Sequence, residues 1–423
     1  MIEIKPIAHL DAQVTMPGSK SYTQRALIMA ALAEGDSLLQ GPLLSEDTGY
    51  LAAALGLLGA GSEMHDGDMV VHGTKGLIKN PHQEIYLGNN GTALRLLTTV
   101  VCLGEGEFLL TGTARLKERP VQPLLTALKA LGVDIRSKDQ PGFPPIIIKA
   151  HGLEGGRVQI SQMESSQYIS SLLISAPFAR EDLSLELQGP IPSRPYVDMT
   201  TALMKQFGAL VIQKAPTLYL IKNDRPYKGV TCRIEGDVSS ASYFFLTAAL
   251  CQGKVRVRPI LPETLQGDIG FLKILQVLGC TIRWGRDWVE VSGGKPVAGE
   301  MLFDLGDMPD MVPTLAVLAA CRPGRTIIKN VAHLRIKESN RLEALVRELT
   351  RTGIQAEETS DGLKIEGGRP HGAEIETYND HRIAMSFAIL GLGVPGIKIK
   401  DPDCVRKSFP GFWKELEKLT DCP

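Results

Sequence analysis

The sequence predicts an α/β protein of two domains, each built from three copies of a helix-strand-helix-strand-strand unit. Six polar turns each open an apolar helix rich in small residues, and they begin at positions 17, 88, 165, 236, 307 and 379. The start-to-start spacings are 71, 77, 71, 71 and 72 residues, and this regularity indicates an internal repeat. Mixed units of this length favour compact α/β domains over thin solenoids.

Each copy continues in the same order after its first helix. A short charged or Gly-rich turn leads into a run in which Val, Ile, Leu or Thr alternates with polar residues, as expected of a strand. A second, amphipathic helix follows and tends to end in Gly, which suits a left-handed C-cap. A β-hairpin closes the copy; in GIQAEETSDGLKIEGG its turn contains Asp361 and Gly362.

The two ends of the chain indicate how the copies divide into domains. The sixth copy stops after its second helix, and the strand predicted over Ile2–Ile7 has no partner in the first copy. We expect this strand to complete the sixth copy, which places both termini in one domain. The predicted domains are residues 18–235 and residues 1–17 plus 236–423, with the active site in the cleft between them, where small ligands commonly bind.

Composition excludes several classes of protein. With 423 residues, 43% of them apolar, and a formal charge of −1, the chain suits a globular protein with no global field for nucleic acid or acidic membranes. No run approaches the roughly 18 apolar residues of a membrane span. Seven scattered cysteines without a C-x-x-C pair favour neither a disulfide framework nor a zinc site. We expect a soluble, cytoplasmic monomer that carries no targeting peptide and binds neither nucleic acid nor membrane.

The N-terminal turns of the first helices carry residues suited to an anionic ligand. Backbone N–H groups and the helix dipole favour anions there. Plain N-capping would also place Ser, Asn or Asp at these positions, but it does not explain cations, which the dipole disfavours. The polar residues of these turns are Lys20, Ser21 and Arg25; Asn89, Gly91, Thr92 and Arg95; Ser165, Ser166 and Gln167; and His381 and Arg382.

Connecting segments add further cations and two candidate acid–base groups. The cations include Arg119 in ARLKERP and Lys407 in DCVRKSFP, and their number predicts a multiply anionic small ligand. The two candidates are Asp310 in DMPDMVP and Glu338 in LRIKESNRL. Glu338 lies among Arg335, Lys337 and Arg341, a setting that suits proton transfer near neutral pH. The alternatives are that Asp310 only caps a helix and that Glu338 only forms an ion pair.

Ten segments of the chain, in order, resemble those of one enzyme family. They are PGSKS with a following Arg, LGNNGTALR, KERP, SSQ, SRPY, EGDVSSASY, MPD, RIKES-R, NDHR and RKSFP. The chain is thereby similar to the 5-enolpyruvylshikimate-3-phosphate synthases along essentially its whole length. This resemblance implies an inside-out α/β barrel of two domains that close over the substrates. It also implies transfer of the enolpyruvyl group of phosphoenolpyruvate to the 5-hydroxyl of shikimate 3-phosphate, with release of phosphate and without metal or organic cofactor.

The resemblance further implies a role for each matching residue. Shikimate 3-phosphate is expected to contact Ser21, Arg25, Ser165, Ser166, Ser193, Tyr196, His333 and Lys337. Phosphoenolpyruvate is expected to contact Lys20, Gly91, Arg119, Gln167 and Lys407 through its phosphate, and Arg341 and Arg382 through its carboxylate. Asn89, Thr92 and Arg95 are expected to support the second turn. In an addition–elimination reaction through a tetrahedral intermediate, Asp310 would accept the 5-hydroxyl proton. Glu338, with Lys20 nearby, would protonate the methylene carbon and later remove a proton.

The chain departs from the family pattern at a few positions. His333 stands where Asn is common, although an imidazole can still donate a hydrogen bond there. Asn90, Leu96 and Asn340 also differ from the common residues. The inhibitor glyphosate occupies the phosphoenolpyruvate site in this family, and Gly91 leaves room for it, so the sequence predicts sensitivity.

Two alternative functions remain. The first is the related transfer of enolpyruvyl to UDP-N-acetylglucosamine, but that enzyme has a reactive Cys where this chain reads TGTARLKERP. The second is a repeat scaffold that binds an anionic metabolite without catalysis. Such a scaffold would not need Asp310, Glu338 and Lys20 together.

Overall fold

The computed structural model describes residues 1–420, so Cys422 and the last residues of the second predicted domain lie outside the described residues. The chain divides into two compact units. The terminal unit comprises Met1–Ser19 together with the chain from Glu235 onward, and the central unit comprises Lys20–Ile234. Among residues 1–420, no helix combines the length and the apolar character needed to cross a membrane.

Helices and strands alternate along the described residues. In chain order, the α-helices α1 to α13 are Lys20–Leu32, Glu46–Leu57, Gly91–Val100, Ala114–Lys117, Gln122–Ala130, Gln167–Ser175, Pro195–Gln206, Val238–Leu250, Phe271–Val277, Val312–Cys321, Arg341–Arg351, His381–Gly393 and Phe412–Thr420. The strands β1 to β23 are Ile2–Glu3, Asp11–Thr15, Asp36–Gln40, Gly61–His65, Asp68–His72, Ile85–Tyr86, Glu105–Thr111, Asp134–Ser137, Ile146–His151, Gly156–Ile160, Leu183–Leu187, Val211–Ala215, Leu218–Ile221, Thr231–Arg233, Lys254–Arg258, Thr281–Trp284, Val289–Ser292, Met301–Asp304, Gly324–Lys329, Gln355–Glu358, Leu363–Gly367, Glu374–Ile375 and Lys398–Ile399.

The six predicted first helices are α1, α3, α6, α8, α10 and α12, and each unit holds three of them. Every copy also has a strand that the sequence interpretation missed. It pairs in parallel with the strand that follows the first helix, as β10 does with β11 and β18 with β19. The sheets of the central unit have the orders β14-β3-β5-β4, β6-β7-β9-β8 and β10-β11-β13-β12. Those of the terminal unit are β2-β15-β17-β16, β18-β19-β21-β20 and β22-β23-β1.

The chain passes between the units where two of these extra strands are exchanged. The strand before α1, β2, pairs in parallel with β15 of the fourth copy. The strand before α8, β14, pairs in parallel with β3 of the first copy. Each unit therefore completes its sheets with a strand from a distant part of the sequence.

The expectation that the N-terminal strand completes the sixth copy is confirmed. Ile2–Glu3 pairs antiparallel with Lys398–Ile399. The predicted length of that strand, as far as Ile7, is wrong because the strand ends at Glu3, although the Ile4 N–H still donates to the carbonyl oxygen of Ile397 at 2.9 Å. Pro6 lacks a backbone N–H and does not suit a continued ladder.

The first helices form the interior of each unit. In the terminal unit, α8, α10 and α12 pack on one another, and residues 381–392 of α12 are all buried. In the central unit, α3 packs on α6, and both α1 and α6 pack on α7. Helices that are apolar on all sides are typical of such enclosed positions.

Candidate active site

Arg25 connects three helices of the central unit. Its Nε donates to Thr200 Oγ1 in α7 at 2.8 Å, and a terminal nitrogen donates to Ser170 Oγ in α6 at 3.4 Å. Its guanidinium lies 5.6 Å from the centre of the Tyr196 ring. Burial lowers the pKa of Arg25 to about 10. A buried cation held by neutral groups in this way suits a site that receives an anion.

Asn90 fixes the start of α3. Its Oδ1 accepts from the backbone N–H three residues on at 2.9 Å, which caps the helix. Its amide nitrogen donates to Gln24 Oε1 at 2.9 Å and to the carbonyl oxygen of Asp47 at 2.7 Å. The side chain that departs from the family pattern is thus buried and bonded to α1 and α2. Leu96, the other departure in this helix, is fully buried.

Gly91 makes room for Arg119 beside the same helix start. A Cβ at Gly91 would lie 2.4 Å from Arg119 Cζ, closer than side chains approach. Arg119 is buried, and one terminal nitrogen donates to the carbonyl oxygen of Asn89 at 3.3 Å. A guanidinium placed over a helix N-terminus adds positive charge to a position that already favours anions.

Gln167 joins the N-terminal ends of α3 and α6. Its Oε1 accepts from Arg95 at 2.8 Å, and its Nε2 donates to Thr92 Oγ1 at 2.9 Å. Arg95 also donates to the carbonyl oxygen of Pro120 at 3.1 Å and lies 5.3 Å from the centre of the Tyr168 ring. The predicted ligand Gln167 and two of the three residues predicted to support the second turn, Thr92 and Arg95, therefore form one bonded group.

Lys20 is the first residue of α1 and is paired with a carboxylate. Its Nζ lies 3.2 Å from Asp47 Oδ2, and the two side chains are 14% and 4% exposed. The carbonyl oxygen of the neighbouring Ser21 accepts from Arg25 at 3.1 Å. Lys20, the predicted phosphate ligand expected near Glu338, thus lies beside the residues that bond to Asn90.

Three predicted serine ligands are buried in the central unit. Ser165 and Ser166 precede α6, and Ser193 precedes α7. Ser166 occupies the N-cap position of α6 without a side-chain cap hydrogen bond, so capping does not account for it. Ser193 has a φ of +52°, a left-handed conformation that non-glycine residues adopt at a cost. Such strain at a turn before a helix is typical of functional positions.

Arg341 is the centre of an ionic cluster in the terminal unit. It is 1% exposed, and its Nε donates to Asp380 Oδ2, one terminal nitrogen to Asp310 Oδ1 and the other to Glu338 Oε2, each at 2.8 Å. Burial by itself would lower the pKa of Arg341, but the three carboxylates raise that pKa above its usual value. The side chain remains a cation, and each of its three guanidinium nitrogens donates a hydrogen bond to a carboxylate.

Asp310 is bound by two guanidinium groups and does not cap α10. The N-cap position belongs to Met311 and has no side-chain cap bond. Asp310 Oδ2 accepts from Arg382 at 2.7 Å, while Oδ1 accepts from Arg341. Burial favours the neutral acid, but Arg382 and Arg341 outweigh it and hold the pKa of Asp310 below its usual range. The alternative that Asp310 is only a cap is wrong.

Glu338, Lys337 and His333 border this cluster. Glu338 forms an ion pair with Arg341, three residues further along the chain. The contact expected from the alternative interpretation of Glu338 is therefore present. His333 lies in the short 3-10 helix Ala332–Ile336, and its Nε2 has no hydrogen-bond partner among residues 1–420. Burial, together with the charge of Lys337, lowers the pKa of His333 to about 3, so its imidazole is neutral. Lys407 ends the 3-10 helix Pro402–Lys407, which packs on α12, and is itself buried.

Three carboxylates of the site were missed by the sequence interpretation. Asp380 is fully buried, accepts from Arg341, and caps α12. Asp47 pairs with Lys20. Asp268 is buried and accepts from the Ser239 hydroxyl through Oδ2, while its Oδ1 has no partner among the described residues. Asp380 belongs to the NDHR segment, so its role could have been predicted from that motif. Asp47 and Asp268 lie outside every motif.

Known proteins match this chain over nearly its full length. The family model described as EPSP synthase (3-phosphoshikimate 1-carboxyvinyltransferase) matches residues 4–416. The 3-phosphoshikimate 1-carboxyvinyltransferase of Syntrophobacter fumaroxidans is 43% identical over 421 residues, which cover 98% of this chain and 99% of that one. The protein of the same name from Nostoc punctiforme is 42% identical over 414 residues and 97% of each chain.

A solved structure agrees with these sequence relatives. EPSP synthase from Acinetobacter baumannii superposes with a TM-score of 0.82 at 28% identity and covers 99% of this chain and 97% of its own. The predicted fold class is thereby confirmed, as is the predicted family. With the motifs, the architecture and these relatives in agreement, the chain belongs to the EPSP synthase (3-phosphoshikimate 1-carboxyvinyltransferase) family.

Proposed function

We propose that this enzyme transfers the enolpyruvyl group of phosphoenolpyruvate to the 5-hydroxyl of shikimate 3-phosphate and releases phosphate, a step in the biosynthesis of aromatic compounds. The observation that carries the proposal is the cluster in which Arg341 and Arg382 both bind Asp310. It places two planar guanidinium groups, suited to a substrate carboxylate, against a carboxylate suited to proton transfer. Membership of the EPSP synthase family supports the same reaction.

The anion sites of the central unit support the substrate contacts in this proposal. Arg25, with its hydroxyl partners and Tyr196, is assigned to shikimate 3-phosphate. The buried serines before α6 and α7 join it there; they are Ser165, Ser166 and Ser193. Lys20, Gly91, Arg119 and Gln167 are assigned to the phosphate of phosphoenolpyruvate. The close approach of Arg119 to Gly91 supports this assignment because it adds a cation to a helix N-terminus.

Residues of the terminal unit complete the assignment. Arg341 and Arg382 are assigned to the carboxylate of phosphoenolpyruvate, Lys407 to its phosphate, and Lys337 and His333 to shikimate 3-phosphate. In the addition step, the 5-hydroxyl oxygen bonds to C2 of phosphoenolpyruvate, Asp310 takes the hydroxyl proton, and the methylene carbon receives a proton from Glu338, with Lys20 nearby. In the elimination step, that methyl group gives a proton back while the C2–phosphate bond breaks. Enolpyruvyl shikimate 3-phosphate and inorganic phosphate are the products.

Phosphate release with two acceptors in parallel tests the proposed reaction. The purified enzyme is given phosphoenolpyruvate with shikimate 3-phosphate or with UDP-N-acetylglucosamine. Release with shikimate 3-phosphate alone is expected. Release with the nucleotide sugar alone would overturn the acceptor assignment. No release with either acceptor, from folded protein that still binds shikimate 3-phosphate in a titration, would favour a binding scaffold.

We also propose that the enzyme is a cytoplasmic monomer that needs no cofactor and is sensitive to glyphosate. The near-zero net charge supports a protein that is not drawn to nucleic acid or membrane surfaces. The side chain of Asn90 is bonded to α1 and α2, and Gly91 lets Arg119 approach the helix start; both support binding of the inhibitor at the phosphoenolpyruvate site. Light scattering after gel filtration tests the monomer. An inhibition constant far above the Michaelis constant for phosphoenolpyruvate would refute the sensitivity.

A further inference from the structure

The turn that leads into α12 is strained. Tyr378 and Asn379 have φ values of +54° and +52°, so two successive non-glycine residues are left-handed. This conformation persists only where neighbouring groups hold it. The turn is closed by the Asp380 N–H, which donates to the carbonyl oxygen of Thr377 at 2.8 Å. The next residues along the chain are the ones that hold Arg341 and Asp310.

Glu348 holds this turn from the neighbouring helix α11. Its side chain is fully buried. Oε1 accepts from the Tyr378 hydroxyl at 2.7 Å, and Oε2 accepts from the Glu376 N–H at 3.1 Å. Oε2 also accepts from Arg351 Nε at 3.0 Å, but that side chain is 46% exposed. A buried carboxylate that accepts hydrogen bonds from both Glu376 and Tyr378, on either side of Thr377, is placed to fix the conformation of that turn.

The conformation of this turn determines where Asp380 lies. Asp380 accepts from Arg341 Nε at 2.8 Å, from the Ser339 hydroxyl at 2.9 Å and from the Arg382 N–H at 3.0 Å. One carboxylate therefore orients one guanidinium of the proposed carboxylate site and caps the helix that carries the other. A shift of the turn would move both guanidinium groups together.

We propose that Glu348 and Tyr378 are positioning residues that set the geometry of Arg341 and Arg382 for the carboxylate of phosphoenolpyruvate. Neither residue is among those assigned to the substrates, and both would act through the strained turn and Asp380. This inference rests on the proposed function, because it concerns how the same enzyme binds one of its substrates.

The chemistry of the pair suits a permanent restraint. Burial, followed by the bond to Glu348, raises the pKa of Tyr378 to about 12. The phenol therefore stays protonated, and remains a hydrogen-bond donor, throughout the pH range in which the enzyme can be assayed. The restraint differs in this respect from a pH-dependent switch.

Tyr378→Phe removes the hydroxyl while it keeps the ring, and Arg351→Gln is its matched control. Both changes delete one donor to Glu348, but only the first delivers its bond to the turn. Initial rates of phosphate release are measured for the wild type and both variants, with each substrate varied at saturation of the other. Thermal melting of each protein sets a temperature at which all three are folded.

The inference predicts weaker binding of phosphoenolpyruvate without weaker binding of shikimate 3-phosphate. In Tyr378→Phe, KM for phosphoenolpyruvate should rise by about tenfold, the equivalent of one hydrogen bond to a charged group. KM for shikimate 3-phosphate should stay within about twofold of the wild type, and Arg351→Gln should match the wild type in both constants. Glu348→Gln should reproduce the effect of Tyr378→Phe, because an amide cannot accept on both sides as the carboxylate does.

Other results would overturn the inference. An active wild type with an unchanged KM for phosphoenolpyruvate in Tyr378→Phe would remove the positioning role alone. Equal losses for both substrates, in proportion to a lower melting temperature, would show a role in stability only. A wild type that releases no phosphate would instead refute the proposed function, and the inference would fall with it.

Discussion

Substitution of Gly91 by Ala tests the contact that supports the phosphate site most directly. The new Cβ would lie 2.4 Å from Arg119 Cζ and 2.6 and 2.7 Å from its two terminal nitrogens. Ordinary Cβ contacts begin at 3.4 Å, so the guanidinium has to move by about 1 Å, a displacement that costs a positioning group about a hundredfold in rate. We therefore expect kcat/KM for phosphoenolpyruvate to fall about a hundredfold, or about 2.7 kcal/mol in transition-state stabilisation.

The assay is phosphate release with phosphoenolpyruvate varied, beside a titration with shikimate 3-phosphate and a thermal melt. Binding of shikimate 3-phosphate should be unchanged, and stability should hold because Ala is a better helix residue than Gly by about 1 kcal/mol. Gly56→Ala in α2 is the matched control, since nothing lies within 4 Å of its added Cβ. A folded Gly91→Ala enzyme whose kcat/KM for phosphoenolpyruvate stays within twofold of the wild type would refute the assignment of Arg119.

Three further predictions concern the acid–base groups and the frame of the site. Glu338→Ala should leave shikimate 3-phosphate binding nearly unchanged, measured by titration, while turnover falls at least about a hundredfold; near-normal turnover would remove Glu338 from the mechanism. Burial, then the neighbouring Asp310, raises the pKa of Asp268 to about 7, so its contribution to stability is complete below about pH 4 and is lost as the pH rises through 7. Asp268→Asn cannot titrate, so melting temperatures should fall less from about pH 5 to 8 than in the wild type, and equal slopes would contradict this. Asn90→Ala removes a helix cap and two amide hydrogen bonds, so urea unfolding should show a loss of about 2 kcal/mol, and an unchanged midpoint would show that these bonds contribute nothing.

The sequence allowed the first helices to be predicted because each copy repeats the same apolar pattern at a nearly constant spacing. Two of the strands that precede the first helices were missed because they carry too little pattern. β6 and β22 have two residues each, which is too short for an alternation of apolar and polar side chains to be seen. The partners of β2 and β14 also cannot be predicted from the local sequence, since each strand pairs with one that lies far along the chain.

The motifs named the candidate site residue by residue, but the bonds among those residues could not be predicted from them. Arg341 stands beside Glu338 in the sequence, whereas Asp310 and Asp380 lie 31 and 39 residues away and reach it only through the fold. Asp268 carried no signal at all, because a lone carboxylate in a turn is usually solvated. Its importance comes from burial and from Asp310, neither of which a sequence displays.

The ionic cluster also explains how the proposed base can be strong only when it is needed. Asp310 is a poor proton acceptor while Arg382 and Arg341 hold its pKa below the usual range. In the proposed reaction, the carboxylate of phosphoenolpyruvate binds these same two guanidinium groups and competes with Asp310 for them. Its negative charge raises the pKa of Asp310 by weakening both attractions and by adding a like charge nearby. Asp310 would therefore become a stronger base when phosphoenolpyruvate binds. Removal of the 5-hydroxyl proton would then be coupled to the presence of C2 of phosphoenolpyruvate, the atom to which the 5-hydroxyl oxygen bonds.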